Sequence, residues 1–148
     1  MIERATGSTI STPDLYDALR LRAAVFVVEQ DCPYLDPDGR DLEPATQHLW
    51  IRGDDGRLAS YVRVLAEPDG TLRIGRVVTD PAHRRAQRAG QLIDAALEGV
   101  TVAVVLAAQS HLTHVYERHG FIQDGDEFLD DGIPHTPMRR PVASDPGP

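Results

Sequence analysis

The chain has 148 residues, 41% hydrophobic and 26% charged, the size and balance of one folded domain that can bury a sizeable core. Its 15 basic residues face 23 Asp plus Glu, and the net charge of −8 repels phosphate backbones and anionic membranes, so nucleic acid is not an expected partner. Every basic residue is an Arg, and without Lys neither a Schiff base nor a P-loop phosphate clamp can be built.

Near the start, Thr12 as N-cap and Pro13 at the first helical position open a segment with Leu15, Ala18, Leu19, Ala23 and Phe26 on one stripe. This spacing predicts a helix over residues 13–27. Residues 29–44, EQDCPYLDPDGRDLEP, are rich in Asp, Pro and Gly and read as a long loop, a kind of segment that is often functional. Three β-rich runs follow, separated by the turn signals DDG and EPDG, and they predict an antiparallel meander whose third run ends at Thr79 before Pro81. From Arg85 the period becomes helical, with Ala89, Leu92, Ile93, Ala96 and Leu97 on one face and Gly99 as the stop. Residues 100–106 then read as a strand buried on both faces. Leu112, Val115 and Tyr116 make a short helix ended by Gly120, and a pair of short strands follows from Phe121. A strand, a helix and a strand in succession imply a crossover. The expected fold class is therefore α/β, with a mixed, mostly antiparallel sheet carrying helices on both faces, over residues 1–140. Residues 141–148, PVASDPGP, read as a loose tail.

A lone Cys32 cannot form an internal disulfide, and MIERATG lacks the apolar core of a secretory signal, so a cytoplasmic location is expected. The longest apolar stretch, residues 100–108, is far below the roughly 20 residues of a membrane-spanning helix, and no membrane partner is expected.

The stretch VVTDPAHRRAQRAGQLIDAAL carries the chemistry. It sets a strand directly before a helix whose first turn holds Arg84, Arg85 and Arg88, with His83 before them and Gly90 after. A helix N-terminus offers free N–H groups and the positive end of a dipole, so the segment is either an anion site or a solvated helix start. Arginines oppose the dipole in the second role. Neither GxxxxGK[ST] nor GxGxxG is present, which excludes a P-loop and a dinucleotide fingerprint.

Arg85-Ala86-Gln87-Arg88-Ala89-Gly90 resembles the acyl-CoA signature [QR]-x-x-G-x-[GA] of the GCN5-related N-acetyltransferases, with Arg88 where the pattern has its middle glycine. YERHGF, Tyr116 to Phe121, resembles that family's second signature, in the right order and at the right distance. FVVEQDCPYLDPDGRDLE, IGRVVT, AAQSHL and DDGIPHTPM resemble the ElaA-type branch, so that the likeness spans roughly residues 15–140. It implies an acetyl-CoA-dependent N-acetyltransferase in which a primary amine attacks the thioester directly.

In such an enzyme the strand before the Arg loop parts from its neighbour. The resemblance then gives the backbone of Val77, Val78 and Thr79 to the thioester carbonyl and pantetheine. It gives the amides of Arg85, Ala86, Gln87, Arg88, Ala89, Gly90 and Gln91, with Arg84 or Arg85, to the pyrophosphate. Gln109 stands where many relatives have Asn beside the cofactor. Tyr116 is the implied general acid for the leaving thiolate; read without the family it is a packing residue beside Leu112 and Val115. Many relatives carry a Glu on the strand before the loop, but TLRIGRVVT has no acid, which leaves Glu29 as first substitute base and His48 as second. Asp36, Asp38, Asp41 and Glu43, with Asp126, Glu127, Asp130 and Asp131, form either a negative mouth for a cationic amine or a solvated surface. His111 and His114 share a helix face but supply too few ligands for a metal, and none is expected. Cys32 reads as a half-buried loop thiol, and Trp50 and Tyr61 as core. A homodimer through the sheet is one arrangement the resemblance allows, and a non-catalytic acyl-CoA sensor on the same fold is the alternative function.

Overall fold

The computed structural model describes residues 1–142, without the side chains of residues 85 and 86. The expectation of a tail beyond residue 142 lies outside the described residues. In chain order the elements are β1 (Ile2–Thr6), α1 (Thr12–Arg22), a π-helical segment (Ala23–Glu29), β2 (Gln47–Arg52), β3 (Leu58–Ala66) and β4 (Leu72–Thr79). A 3-10 turn (Pro81–Ala86), α2 (Arg88–Leu97), β5 (Val104–Gln109), a second 3-10 turn (Ser110–Leu112) and α3 (Thr113–Glu117) follow. The chain closes with β6 (Ile122–Gln123), β7 (Phe128–Asp130) and β8 (Ile133–Arg140). Among the described residues, no helix is long and apolar enough to cross a membrane.

The strands form one sheet in the order β1-β2-β3-β4-β5-β8-β6, with β7 paired to β8. Among the described residues, only β4 and β5 run parallel, joined by the α2 crossover, and every other pair is antiparallel. Alternation along the central strands serves both faces of this sheet. Leu49, Ile51, Val62 and Val64 pack with Leu92, Ile93 and Leu97 of α2 on one side. Trp50, Tyr61 and Val78 pack with Ala18, Leu21 and Val25 on the other. Trp50 and Tyr61 are core residues, as expected from their sequence.

Three elements differ from the sequence reading. The edge strand β1 was not foreseen; its five residues pair with β2 along their whole length. Helix α1 is capped by Ser11, whose hydroxyl accepts from the Asp14 amide at 3.2 Å, and not by Thr12. It also keeps its α winding only to Arg22. The next seven residues wind wider, with Gln30 N–H donating to Val25 O and Cys32 N–H to Val27 O, both five residues back.

The long loop after this segment is fixed by charge. Arg22 is fully buried and donates from Nε to Asp36 (2.8 Å) and from Nη1 to Asp41 (2.6 Å). Arg63 reaches Asp38 at 2.7 Å and Asp41 at 3.1 Å, and Arg76 Nε lies 2.9 Å from Asp36. Tyr34 donates its hydroxyl to Asp36 at 2.7 Å. Asp36 and Asp41 are therefore buried struts and not part of a solvent-facing acidic mouth, which corrects that expectation for the loop. Such a network is sensitive to the loss of a single member, because a buried charge deprived of a partner keeps its desolvation cost.

His48, considered as a base, is buried in the same region. Its Nε2–H donates to Asp41 O (2.9 Å) and its Nδ1 accepts from Tyr61 (2.6 Å). Burial lowers its pKa, so the neutral ring belongs to the folded state. Asp38 and Asp41 are held below the ordinary carboxylate range by their arginines against the desolvation that opposes it.

Replacing Arg22 by Met should cost about 3 kcal/mol of unfolding free energy, because Asp36 and Asp41 stay buried and each loses one of its two guanidinium partners, read from urea denaturation at pH 7. Stability should also fall on acidification. The contribution of His48 is complete above its unfolded pKa of about 6.5 and is lost as pH drops toward its lower folded value. That of Asp38 and Asp41 is complete above about 4 and is lost only at more acid pH. Urea midpoints from pH 8 to pH 3 should show both declines, and a midpoint that rises through this range contradicts the assignment.

Candidate active site

The site begins where the sheet fails to close. β4 and β5 pair only at Leu72↔Val104 and Arg73↔Val105, at the start of each strand. Beyond these two steps the strands share no ladder. A bulge in β4 accompanies the parting, because Tyr61 faces Val78 and Arg63 faces Gly75, so three steps along β4 match two along β3. Arg76 takes up the extra residue at φ 53°, a left-handed conformation that a residue with a Cβ rarely adopts. Between the parted strands lies a cavity of about 870 Å³. Arg84, Ala89, Val77, Leu106, Tyr116 and residues of the β7–β8 hairpin line it.

Val77, Val78 and Thr79 all line this cavity. The Val78 side chain is buried in the α1-side core, so its backbone is what it offers to the cleft. Thr79 exchanges a hydroxyl hydrogen bond with Ser60 at 3.0 Å.

The helix expected from Arg85 is broken in two. A 3-10 turn ends at Ala86, Gln87 is left-handed at φ 53°, and the α-helix begins only at Arg88. A left-handed residue cannot propagate an α-helix, so Gln87 restarts it and creates a fresh N-terminus. No side chain caps that end and its first turn carries no acid. The Gln91 amide, assigned above to an anion, donates instead to Gln87 O at 3.4 Å, which leaves Arg88, Ala89 and Gly90 as the amides ahead of the helical ladder. A Cβ at Gly90 would meet nothing nearer than His119 Nε2 at 3.9 Å, so packing does not demand a glycine there. The side chains of Arg85 and Ala86 lie outside the described residues.

Arg84 and Glu29 are brought together across the cavity mouth. The two Arg84 Nη groups donate to the two Glu29 carboxylate oxygens at 2.7 and 2.5 Å. Arg84 lowers the Glu29 pKa, and a carboxylate so held is a poor proton acceptor in this arrangement.

Tyr116, on α3, stands edge-on to Phe121 with ring centroids 6.3 Å apart. Desolvation alone pushes its pKa up to about 12, so the phenol is protonated at any physiological pH. Gln109 closes the end of β5 and donates to Gln30 of the π segment's end at 3.3 Å. Cys32 is buried rather than half-buried, its Sγ 3.7 Å from Asp131 O, and burial raises the thiol's pKa. Of the expected acidic residues, Asp130 and Asp131 line the cavity.

His135 also lines it. Sequence reasoning passed over this residue, whose only signal was its place inside DDGIPHTPM.

An open mixed sheet that parts at its one parallel pair, beside an uncapped helix N-terminus, is the frame of a known family. Residues 37–141 match the model of the Acetyltransferase (GNAT) domain. The chain belongs to the GNAT acetyltransferases. It is 44% identical over 144 residues to a UPF0039 protein of Mycobacterium tuberculosis, covering 95% of this chain and 92% of that one. Identity to the ElaA protein of Escherichia coli is 40% over 142 residues, or 91% and 92% of the two chains. The crystal structure of that ElaA superposes with a TM-score of 0.87 at 37% identity, covering 95% of this chain and 98% of the other. An acyl-CoA N-acyltransferase from Pseudomonas aeruginosa gives 0.88 at 39% identity, covering 95% and 99%. The GNAT fold and the likeness to the ElaA branch accordingly stand as the sequence suggested.

Because the Arg84 contact is the largest cause of the depressed Glu29 pKa, Arg84→Ala should move the Glu29 titration upward toward that of an ordinary Glu. Carboxyl 13C shifts followed against pH in the two proteins measure this, and an unmoved midpoint would show that Arg84 is not the controlling contact.

Proposed function

We propose that this GNAT protein transfers an acetyl group from acetyl-CoA to a primary amine by direct attack on the thioester. The observation that carries the reading is the parting of β4 from β5 after two paired residues, which leaves a strand backbone open along a cavity. Amide groups of the Val77 to Thr79 stretch hold the thioester carbonyl and the pantetheine arm, and polarise the carbonyl as charge develops on its oxygen. At the other end, the pyrophosphate sits on the amides of Arg88, Ala89 and Gly90, where helix dipole and free donors coincide. The room above Gly90 supports this, since a glycine inside a helix costs about 1 kcal/mol relative to Ala and packing supplies no reason for it here.

Tyr116 protonates the departing thiolate. With its pKa pushed up to about 12 against about 8.5 for a free thiol, transfer to a relaxed thiolate is uphill, so the proton moves as the C–S bond breaks, while sulfur is at its most basic. Asp130 and Asp131 at the cavity wall favour a cationic acceptor.

A second reading, an acyl-CoA-binding module without turnover, draws support from the absence of an acid on β4 and the commitment of Glu29 to Arg84. Calorimetric titration with acetyl-CoA, followed by thiol release in the presence of primary amines, separates the two. The enzyme reading expects binding and turnover, with Tyr116→Phe lowering kcat by about 10²- to 10⁴-fold at unchanged acetyl-CoA affinity. Binding with no turnover in the native protein would favour the module, and no binding would remove both.

A further inference from the structure

The acyl-transfer reading lacks a proton acceptor. Strand β4 has no acidic residue, Glu29 is held by Arg84, and both ring nitrogens of His48 are engaged in the core. We propose that His135 is the general base, taking a proton from the acceptor ammonium through Nε2; the proposal rests on the acetyltransferase reading above.

Strand β8 places His135 directly opposite Gln109, the last residue of β5, and both line the cavity together with Tyr116. Its Nδ1 lies 2.8 Å from the backbone carbonyl of Ile133. A carbonyl oxygen only accepts, so this bond puts the hydrogen on Nδ1 and leaves the lone pair of the neutral ring on Nε2. No described residue takes up that lone pair. Phe128 stacks against the ring at 5.9 Å between centroids and 28° between planes, and Ser110 bonds the neighbouring Thr136 at 2.8 Å. The imidazole is thus oriented from two sides, with one basic nitrogen left over. Asp130 and Asp131 line the same wall and draw a cation toward it. His111 is the other histidine on the cavity, but it is exposed, and no described hydrogen bond fixes its ring.

The protons balance as follows. Nε2 of His135 accepts one proton from the ammonium and later gives it to solvent. The freed nitrogen pair forms the C–N bond while the carbonyl pair moves to oxygen. When the carbonyl re-forms, the C–S bond breaks with its electron pair on sulfur, and sulfur takes the Tyr116 hydroxyl proton. The new amide nitrogen loses its surplus proton to solvent, from which the phenolate recovers one. The sum is ammonium plus thioester giving amide, thiol and one proton.

Two measurements test this. Long-range 1H–15N spectra of the native protein, at a pH where the ring is neutral, should show His135 as the Nδ1–H tautomer; the Nε2–H tautomer would overturn the proposal. Thiol release from acetyl-CoA with tyramine, spermidine and a lysine peptide as probes should fall about 10²- to 10⁴-fold in kcat for His135→Gln and His135→Ala, with acetyl-CoA affinity kept as the check on folding. Added imidazole should restore rate to His135→Ala and not to Tyr116→Phe. Unchanged kcat in a variant that still binds acetyl-CoA, or a native protein that binds it and turns over none of the probes, would overturn the base assignment. Failure of the native protein to bind acetyl-CoA would instead remove the acetyltransferase reading itself.

Discussion

Asp36 holds two guanidinium groups that arrive from opposite parts of the fold, Arg22 from the end of α1 at 2.8 Å and Arg76 from the bulge in β4 at 2.9 Å. The second contact matters most for the cleft. Arg76 has the left-handed backbone that lets β4 absorb an extra residue, and for a residue with a Cβ that conformation costs on the order of 1–3 kcal/mol. Its side chain is tied down by Asp36, by the Asp36 carbonyl at 3.0 Å, and by a cation–π contact with Tyr34. The buried loop therefore stabilises the bulge, and the bulge accompanies the departure of β4 from β5 that opens the cavity.

How much of this was legible depends on the range of the interaction. The central strands and α2 were legible because a buried face writes its period into neighbouring residues, as Leu92, Ile93, Ala96 and Leu97 do. The Arg loop and the Tyr116 to Phe121 stretch were legible because the site uses consecutive residues. The roles of Asp36 and Asp41 were not. Their partners Arg22, Arg63 and Arg76 lie 14 to 40 residues away in sequence, and a run rich in Asp, Pro and Gly looks the same whether its acids are solvated or buried. Strand β1 was invisible for a related reason, since four half-buried edge residues around an exposed Arg4 carry little alternation of their own. Likewise the orientation of His135 comes from a carbonyl two residues back and a ring on another strand, neither of which sequence spacing reports.

Winding of the chain after Arg22 ties one rim of the cavity to the rest. The π segment turns its last residues so that Glu29 meets Arg84 from the loop after β4 and Gln30 meets Gln109 from the end of β5. Two parts of the cavity rim far apart in sequence are thereby bridged by side chains. An α-helix continued through residues 23–29 would place those residues at a different angle around the axis, because each turn would hold 3.6 residues and not the wider π count. The departure from α winding is therefore a positional device for the rim, and the expectation of one uninterrupted helix missed it.

Electrostatics sharpen the account of the donor end. Among the described residues, the arginines that line the cavity are paired: Arg63 with Asp38 and Asp41, Arg73 with Glu67, Arg76 with Asp36, and Arg84 with Glu29. A guanidinium already paired with a carboxylate contributes little net field at a few ångströms. The amides of Arg88, Ala89 and Gly90 at the head of α2, which no acidic side chain of its first turn offsets, add fixed dipoles to the proposed pyrophosphate site that do not depend on a free guanidinium. Fixed dipoles of this kind are compatible with an anion site on a protein of net charge −8, and they exist because the helix restarts at Gln87 instead of running smoothly out of the 3-10 turn. A continuous helix would have spent those amides on its own carbonyls.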